Sequence, residues 1–431
     1  MTDKNSIRIA FITPWPPQET GIGDFAFDLV TDLLNFEIVI HVFTDCENPV
    51  KVNGVDFFNP NTSDLAQLTD YDLRIYQMGN NVHFHLYMLD LIKEYPGIVH
   101  LHDMVLHHLM GWITWMQGDL RSYLRLLSKW YGSKVSFLCH EMMKRDAMTW
   151  DTEIVTDIPL FEEFLQYADG CIVNSEFAKN KVQKAFPELP VYRIVHALKG
   201  MNIVEKKYHG NHKPLNIGVF GGIEPNKNVD VILEVFSRLT QRKSDWILHL
   251  VGGVAESCKH IPELPLKLGI ADNVAFHGRL DDESFKKKMS NMDLILSLRF
   301  PTMGETSGVV TRAMQMGIPA IVNDIGWYAE LPDFVDKVPT KNMSEHLLKL
   351  LFKYLSEEDY LTKKRREFIK YSQNNLNVNA IVKSYFKILK YEWEKRIDFF
   401  PVKSIANLVD DLKIIEDSLL RNTIKQLQII F

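Results

Sequence analysis

The residues best suited to chemistry lie in the stretch 298–332, which reads LRFPTMGETSGVVTRAMQMGIPAIVNDIGWYAELP. An apolar run, Leu294–Leu298, predicts a buried strand that ends here, and a helix is predicted to begin near Gly308. The free backbone amides of a helix N-terminus attract anions, and a glycine there lets a phosphate come close to the backbone. The loop between strand and helix carries the polar residues Arg299, Glu305, Thr306 and Ser307. This pattern predicts an anion site, in which Arg299 adds a permanent positive charge.

Glu305 is the residue of this loop with two readings. Its carboxylate could accept hydrogen bonds from sugar or ribose hydroxyls. Alternatively, Glu305 and Thr306 only cap the helix that follows, as such residues often do. Both readings are open at this stage.

A lysine stands in a similar place earlier in the chain. Lys227 lies in Phe220–Asp230, FGGIEPNKNVD, between a predicted strand and a predicted helix. A lysine that reaches a diphosphate neutralises the charge that builds on a leaving group. Lys227, with Gly221 and Gly222 beside it, is therefore a candidate to bind a diphosphate. The alternative is an exposed lysine at the start of a helix.

The loop Pro14–Asp24, PWPPQETGIGD, has glycines that let backbone approach a ligand, Gly21 and Gly23. Its Gly-x-Gly-x-x-Ala pattern is similar to a dinucleotide-binding fingerprint, in which Asp45 would be the acid that binds the ribose. That fingerprint needs glycine directly after the strand, whereas eight residues separate Ile12 from Gly21 here. An NAD-dependent enzyme is therefore a weak alternative.

Histidines crowd the segment Gly97–His108, GIVHLHDMVLHH. Histidine is a common metal ligand, but no Asp-x-Asp motif supplies the carboxylates of a divalent-metal diphosphate site. We therefore predict no metal site in this segment. Purely structural roles remain open for His100, His107 and His108.

Short apolar runs alternate with helix-period segments in two successive series, which predicts two α/β units with mostly parallel sheets. A polar, basic stretch, Met201–Pro214, separates the series and is predicted to be a linker. From Ser344 the chain is predicted to be helical. Its run of four basic residues, 363–366, favours a solvated helix face over a membrane patch, and Pro401–Phe431 suggests an amphipathic helix. The predicted strands are Ile7–Ile12, Ile38–Phe43, Leu73–Tyr76, Ile98–Leu101 and Cys171–Val173, then Leu215–Phe220, Trp246–Val251, Val274–Phe276, Leu294–Leu298 and Ile318–Val322.

Bulk composition narrows the classes of partner. A net charge of −6 argues against a protein whose main task is to bind nucleic acid. The four cysteines show no CxxC pair, which indicates a reduced, cytoplasmic chain. We expect no signal peptide and no membrane-spanning segment, so any membrane contact would be peripheral, at the inner face.

From Leu294 to Glu330 the chain resembles the family 4 retaining glycosyltransferases, of the GT-B superfamily and the glycosyl transferases group 1. The family's signature is a Glu, seven residues, a second Glu, then Ala-Met, Gly-x-Pro, and later a Gly followed by a Glu. Arg312 occupies the position of the second Glu, and the spacing from Glu305 is one residue shorter than in the family. In the family, this second Glu binds the ribose hydroxyls. The matching residues are Glu305, Ala313, Met314, Gly317, Pro319, Gly326 and Glu330.

Two further segments carry the same resemblance. Lys227 matches a family lysine on the donor diphosphate, although Gly222 replaces the arginine expected before it, for which Arg299 is our substitute. His102 stands where the family places a histidine that contacts the transferred sugar, and the loop Pro14–Asp24 resembles its acceptor-side loop.

The resemblance implies a GT-B fold: two Rossmann-like domains face a central cleft, and a C-terminal helix crosses back to the first. It implies an acceptor-side domain over 1–205, a nucleotide-sugar domain over 213–385 and a helical extension over 386–431. The implied activity is transfer of a sugar from a UDP- or GDP-linked donor to a glycan, lipid-linked or protein acceptor, with retention and without a metal or other cofactor. Two alternatives stay open: a nucleotide-sugar-binding protein without catalysis, and a sugar-nucleotide epimerase.

Overall fold

The computed structural model describes residues 6–62, 65–204 and 214–399. Most of the linker predicted at 201–214, and all of the helix predicted at 401–431, lie outside these residues. The chain divides into two compact units, Met1–Ser384 and Tyr385–Phe431. Both sheets and everything described below as a site belong to the first unit.

Thirteen strands in the described residues form two sheets in which every pairing is parallel. The first sheet has the order β3-β2-β1-β4-β5-β6-β7 and the second β10-β9-β8-β11-β12-β13. The two parallel, Rossmann-like sheets expected from the sequence are confirmed. The strands are β1 Ile7–Ile12, β2 Ile38–Phe43, β3 Asp56–Phe58, β4 Leu73–Met78, β5 Ile98–Leu101, β6 Gly170–Val173, β7 Val191–Arg193, β8 Leu215–Phe220, β9 Trp246–Val251, β10 Val274–Phe276, β11 Leu294–Ser297, β12 Ala320–Asn323 and β13 Asp336–Val338.

Helices cover these sheets, and their apolar sides form the cores. Strands buried on both faces are continuous apolar runs, which is why ten of the strands were recognisable in the sequence. The three missed strands, β3, β7 and β13, have three residues each and lie at sheet edges. The helices are α1 Gly21–Leu33, α2 Val82–His85, α3 Met88–Glu94, α4 His107–Ile113, α5 Leu120–Tyr131, α6 Ser133–Met143, α7 Glu162–Leu165, α8 Glu176–Ala185, α9 Val229–Thr240, α10 Leu264–Lys267, α11 Asp282–Ser290, α12 Gly308–Gln315, α13 Gly326–Ala329, α14 Met343–Ser356, α15 Glu358–Asn375 and α16 Val378–Phe399.

The order of the strands reverses between β1 and β4 in the first sheet, and between β8 and β11 in the second. In such sheets ligands bind outside the carboxyl ends of the strands at this switch point. The loops after β8 and β11 carry Lys227 and Arg299, so both predicted cations follow strands at the switch point.

The basic run 363–366 was predicted to form a solvated helix face, and this prediction is wrong for two of its four residues. Lys364 and Arg365 are buried on α15, while Lys363 and Arg366 are exposed. Lys364 donates from Nζ to Asp336 Oδ1 at 2.7 Å and to the Phe334 carbonyl at 2.6 Å. Half of this run therefore anchors α15 to the second sheet.

Of the helices in the described part of the chain, none combines the length and the apolar character needed to span a bilayer. The bounds of the three predicted domains, and the return of the last helix to the first, stay predictions.

Candidate active site

Lys227 lies in the turn Pro225–Lys227, which follows β8 and precedes α9. Its side chain is buried and donates from Nζ to the Phe220 carbonyl at 3.1 Å. The ammonium sits against Gly221, whose φ is +86° and where an added Cβ would come within 2.5 Å of Nζ. Lys227 is therefore not the exposed lysine of the alternative reading. The left-handed backbone favours glycine at 221, and a Cβ there would displace Nζ of Lys227 from its present position.

Burial, and after it the charge of Arg299, lowers the pKa of Lys227 to about 7, against the opposing effect of Glu224 and Glu305. A buried ammonium that has lost its water gains most from a new anionic partner. This electrostatic state fits a lysine prepared to receive a phosphate oxygen.

Arg299 follows β11 and is held at several points. Its backbone amide donates to Asn323 Oδ1 at 2.7 Å, and its NH1 donates to Asn226 Oδ1 at 3.3 Å. Its Nε lies 3.5 Å from Glu305 Oε1, and its NH1 lies 3.8 Å from Glu224 Oε2. The guanidinium is therefore fixed between two carboxylates, one on each side of the switch point.

Glu305 is fixed by its own loop and does not cap a helix. Its Oε2 accepts hydrogen bonds from the Thr302 hydroxyl at 2.9 Å and from the Met303 amide at 2.7 Å. The cap of α12 is Ser307, whose hydroxyl accepts from the Val310 amide at 3.2 Å. The alternative reading of Glu305 as a cap is wrong.

The first turn of α12 lies beside the loop after β8. An added Cβ at Gly221 would come within 3.9 Å of Val309 Cγ2. Thr306 and Gly308 are partly exposed at the start of this helix. The structure thus brings Gly221, Lys227 and the N-terminus of α12 together, with Arg299 and Glu305 on the adjoining loop.

Arg312, one turn into α12, occupies the position of the family's second Glu. Its NH2 lies 3.7 Å from Asp282 Oδ1, and its guanidinium lies 5.4 Å from the centre of the Phe285 ring. Its Nε is buried and has no hydrogen-bond partner. A cation therefore stands where a carboxylate was expected.

On the first sheet, Gly21 and Gly23 lie in the first turn of α1, which Thr20 caps by accepting from the Ile22 amide at 3.3 Å. An added Cβ at Gly23 would lie 3.4 Å from the Pro14 carbonyl oxygen, whereas one at Gly21 would meet nothing within 4 Å. Close packing within the loop explains Gly23. Contacts with a ligand remain predictions for both.

His102 lies directly after β5 in a stack of rings. Its centroid is 4.1 Å from that of His100, and its Nε2 is 2.7 Å from Gln77 Oε1. Burial holds the pKa of His102 well below its usual range, and His100 lowers it further. His102 is therefore neutral and can orient a hydroxyl but not supply a charge.

The other histidines separate into two kinds. His107 is structural, since its Nδ1 contacts the Tyr123 hydroxyl at 2.9 Å and its Nε2 contacts the Ile158 carbonyl. His108 faces a cavity instead. Its Nδ1 accepts from Asn80 Nδ2 at 2.8 Å.

This cavity has a volume of about 570 Å³. It opens between two halves of the first unit: the first half contains β1–β7, and the second half contains β8–β13. Of the predicted site residues only Arg299 lines it, and His102 and Lys227 do not. Asn80 lies two residues after the end of β4 at the switch point, so strand order could have revealed it. Nothing local in the sequence marks Trp150 or Asp151. The lining residues are Asn80, Asp103, His108, Trp150 and Asp151 from the first half, and Glu224, Pro225, Asn226, Arg299, Phe300, Pro301 and Met303 from the second.

Asp103 is a buried acid of the first half that interacts with charges of the second half. Its Oδ2 accepts from the Asn80 amide at 2.9 Å. Burial raises the pKa of Asp103 to about 6; the Asn80 hydrogen bond opposes this, and the charges of Glu305 and Arg299 act in opposite directions on it. The pKa of Asp103, which follows His102 in the chain, therefore depends on charges of the second half.

The two halves also touch directly. The Val105 amide donates to the Met303 carbonyl at 3.0 Å. The Glu330 carboxylate accepts from the amides of Glu176, at 2.8 Å, and of Phe177. Glu330 therefore caps α8 from the opposite half.

Within the described residues, no group of three His, Cys, Asp or Glu side chains is arranged to hold a metal ion.

Residues 202–375 match the model of a family described as glycosyl transferases group 1. Among solved structures, the sucrose-phosphate synthase of Thermosynechococcus elongatus superposes with a TM-score of 0.63 at 15% identity, covering 90% of this chain and 100% of that one. Anabaena Alr3699/HepE, solved in complex with UDP and glucose, gives a TM-score of 0.58 at 16% identity, covering 89% and 99%. WaaG, a glycosyltransferase involved in lipopolysaccharide biosynthesis, gives 0.57 at 14%, covering 88% and 99%. A sequence comparison with curated proteins gave no match.

Proposed function

We propose that this protein, a glycosyltransferase whose residues 202–375 form a glycosyl transferases group 1 domain, moves a sugar from a nucleotide diphosphate donor to a hydroxyl of a glycan-bearing acceptor. The observation that carries the proposal is the group formed by Gly221, Lys227, Arg299 and the start of α12. It offers two cationic side chains, free helix amides and a close backbone, which is the chemistry that a diphosphate requires.

The donor sugar would lie between this group and the first sheet. Glu305 is oriented by Thr302, Met303 and Arg299, so its carboxylate position is set before any ligand arrives. We propose that it binds sugar hydroxyls, and that neutral His102 orients the sugar from the opposite side. UDP in the HepE complex supports a uridine donor, and a guanosine donor is the other candidate.

The acceptor would enter the cavity, where the first half contributes Asn80, Asp103, His108, Trp150 and Asp151. Concave sites with an aromatic wall and a few convergent polar groups are typical of small-molecule binding. Trp150 offers a flat face to a sugar ring, and the others offer hydrogen bonds to its hydroxyls. A glycan, glycolipid or glycoprotein acceptor fits this lining.

We propose retention at the anomeric carbon, by a front-side route without a metal. The bond from the anomeric carbon to the diphosphate oxygen breaks and the bond to the acceptor oxygen forms on the same face. The acceptor proton passes to the departing diphosphate. Lys227, Arg299 and the α12 amides would stabilise the negative charge on that oxygen as it leaves. The electrostatic requirement is then met by the polypeptide itself.

The reaction is placed in the cytoplasm as part of the same proposal. The four cysteines, all free and buried, support a reducing compartment.

A second function rests on Arg312, because the missing second Glu could leave a protein that binds a nucleotide-sugar without transferring it. The test is to screen UDP- and GDP-sugars by thermal shift, since a ligand that binds the native state raises its stability. The stabilising donor is then incubated with glycan acceptors, and free nucleotide and glycosylated product are measured by mass spectrometry. We expect both products, and NMR of the new linkage should show the donor's anomeric configuration. Tight binding with no turnover would favour the binding protein, and a changed stereocentre without acceptor would indicate an epimerase.

A further inference from the structure

Helix α6, Ser133–Met143, presents apolar side chains to solvent. Phe137 is 66% exposed and its neighbour Leu138 is 49% exposed. The opposite side of the same helix is buried through Ser136 and Cys139. An exposed phenylalanine and leucine side by side on a well-packed helix form an apolar patch that has no partner within the described residues.

Basic residues surround this patch. Lys134 shares the face of Phe137 and Leu138, because residues three and four apart on a helix lie together. Lys144 and Arg145 follow the end of α6 and are exposed. The acid on this face, Glu141, is paired with Lys144 at 2.7 Å.

The neighbouring helix α5, which packs against α6, adds to the positive charge. Its Arg121 and Arg125 are exposed one turn apart. Across residues 120–147 the sequence holds six Lys or Arg and two acidic residues, in a chain whose net charge is −6. Lys134 on α6, with Lys144 and Arg145 at its end, thus flanks the apolar patch, and Arg121 and Arg125 lie on the helix that packs against α6.

We propose that this α6 face, defined by Lys134, Phe137, Leu138, Lys144 and Arg145, docks on an anionic lipid bilayer. Apolar side chains with surrounding Lys and Arg are the features by which an interfacial helix inserts among headgroups and holds anionic lipids. A second copy of the chain is a poorer partner, because two such faces would bring like charges together. The run 363–366, for which a membrane patch was the less favoured alternative, is a poorer membrane-contact surface because Lys364 and Arg365 are buried. This proposal does not depend on the sugar chemistry.

The test is cosedimentation of the full chain with large unilamellar vesicles of phosphatidylcholine, with and without phosphatidylglycerol. We expect binding to the anionic vesicles that falls with added salt, and little binding to phosphatidylcholine alone. Phe137→Ser with Leu138→Ser should weaken the anionic binding by roughly tenfold. Lys134→Glu with Arg145→Glu should weaken it similarly.

Matched controls come from exposed residues elsewhere in the described chain. Leu266 is 77% exposed, so Leu266→Ser removes an exposed apolar side chain outside the α6 face. Arg242→Glu with Lys341→Glu makes the same charge change at exposed sites on the second half. These controls should bind like the parent, and circular dichroism melts should show that every variant is folded.

Three outcomes would overturn the proposal. The parent chain could fail to bind anionic vesicles, or the α6 variants could bind as well as the controls. Light scattering could also show a dimeric parent and a monomeric Phe137→Ser, Leu138→Ser variant, which would assign the face to self-association.

Discussion

At the scale of single residues, the charged groups of the site differ in how many protein partners already hold them. Glu305 and Arg299 are held by neighbouring side chains and amides, whereas Lys227 has one carbonyl partner at 3.1 Å and a lowered pKa. Lys227 is therefore the group whose energy a diphosphate changes most. Three predictions follow from this difference.

Removal of either cation should slow turnover. Lys227→Ala and Arg299→Ala are each expected to reduce kcat by roughly 100-fold, as the loss of one electrostatic stabiliser usually does. Arg299→Lys keeps a charge and should be less harmful than Arg299→Ala. Lys341→Ala, at an exposed site, serves as the control. Full activity in both Lys227→Ala and Arg299→Ala would refute the proposed diphosphate site.

Gly221 can be tested against a glycine with the same backbone. Gly221→Ala brings a methyl group within 2.5 Å of Lys227 Nζ, whereas Gly118, at φ +87°, has nothing within 4 Å of an added Cβ. Both substitutions carry a left-handed backbone penalty of roughly 1–2 kcal/mol. Gly221→Ala alone should also weaken nucleotide diphosphate binding, measured by titration calorimetry. Equal affinity in the two variants would show that Gly221 is needed only for its backbone.

Binding of the diphosphate should be linked to a proton. Lys227 has a pKa of about 7 in the free protein, so it is largely neutral above that pH. An anion beside it favours the ammonium form, which means that binding above pH 7 takes up a proton and that affinity falls as pH rises. Calorimetry of UDP or GDP in two buffers of different ionisation enthalpy should report this uptake. It should disappear in Lys227→Met, and uptake unchanged in that variant would point to another group.

At the scale of elements, the two halves are joined by a helix cap that crosses between them. Glu330, directly after α13, accepts from the first amides of α8. Carboxylates favour helix N-termini through the exposed amides and the helix dipole. This contact fixes α8, and hence the end of β6, relative to the loops that follow β11 and β12.

Glu330→Ala should therefore loosen α8 by about 1 kcal/mol, the usual size of a lost N-terminal cap. Hydrogen exchange at the amides of Glu176 and Phe177 should accelerate, while Glu330→Gln should retain part of the protection. Glu345→Ala, on α14, is the control and should leave these two amides unchanged. Unaltered exchange in Glu330→Ala would show that Ser175, whose hydroxyl accepts from Ala178 at 3.0 Å, caps α8 alone.

At the scale of the whole molecule, the positive charge for a diphosphate comes from the loops after β8 and β11 and from the N-terminus of α12. Residues of the first half complete the cavity. We expect that EDTA leaves turnover unchanged, since lysine, arginine and backbone amides would supply the charge. Activity lost to EDTA and restored by Mg²⁺ or Mn²⁺ would overturn the metal-free proposal. The measurement is nucleotide release with and without chelator.

The sequence by itself determined the fold class, because strands buried in a parallel sheet must be apolar throughout and the runs between them have helical spacing. It also predicted that Lys227, Arg299 and Glu305 lie in loops that follow such strands, where ligands bind. Local patterns could not show that Lys227 is buried, that Ser307 caps α12, or that Lys364 and Arg365 face inward.

Only the tertiary structure decided which distant residues meet. Glu330 contacts Glu176 across 154 residues of sequence, and Trp150 and Arg299 line the same cavity. Such contacts depend on how two separately folded sheets pack against each other, and no periodicity within either segment records that packing. The same is true of Phe137 and Leu138, whose exposure depends on which face of α6 the rest of the first half covers.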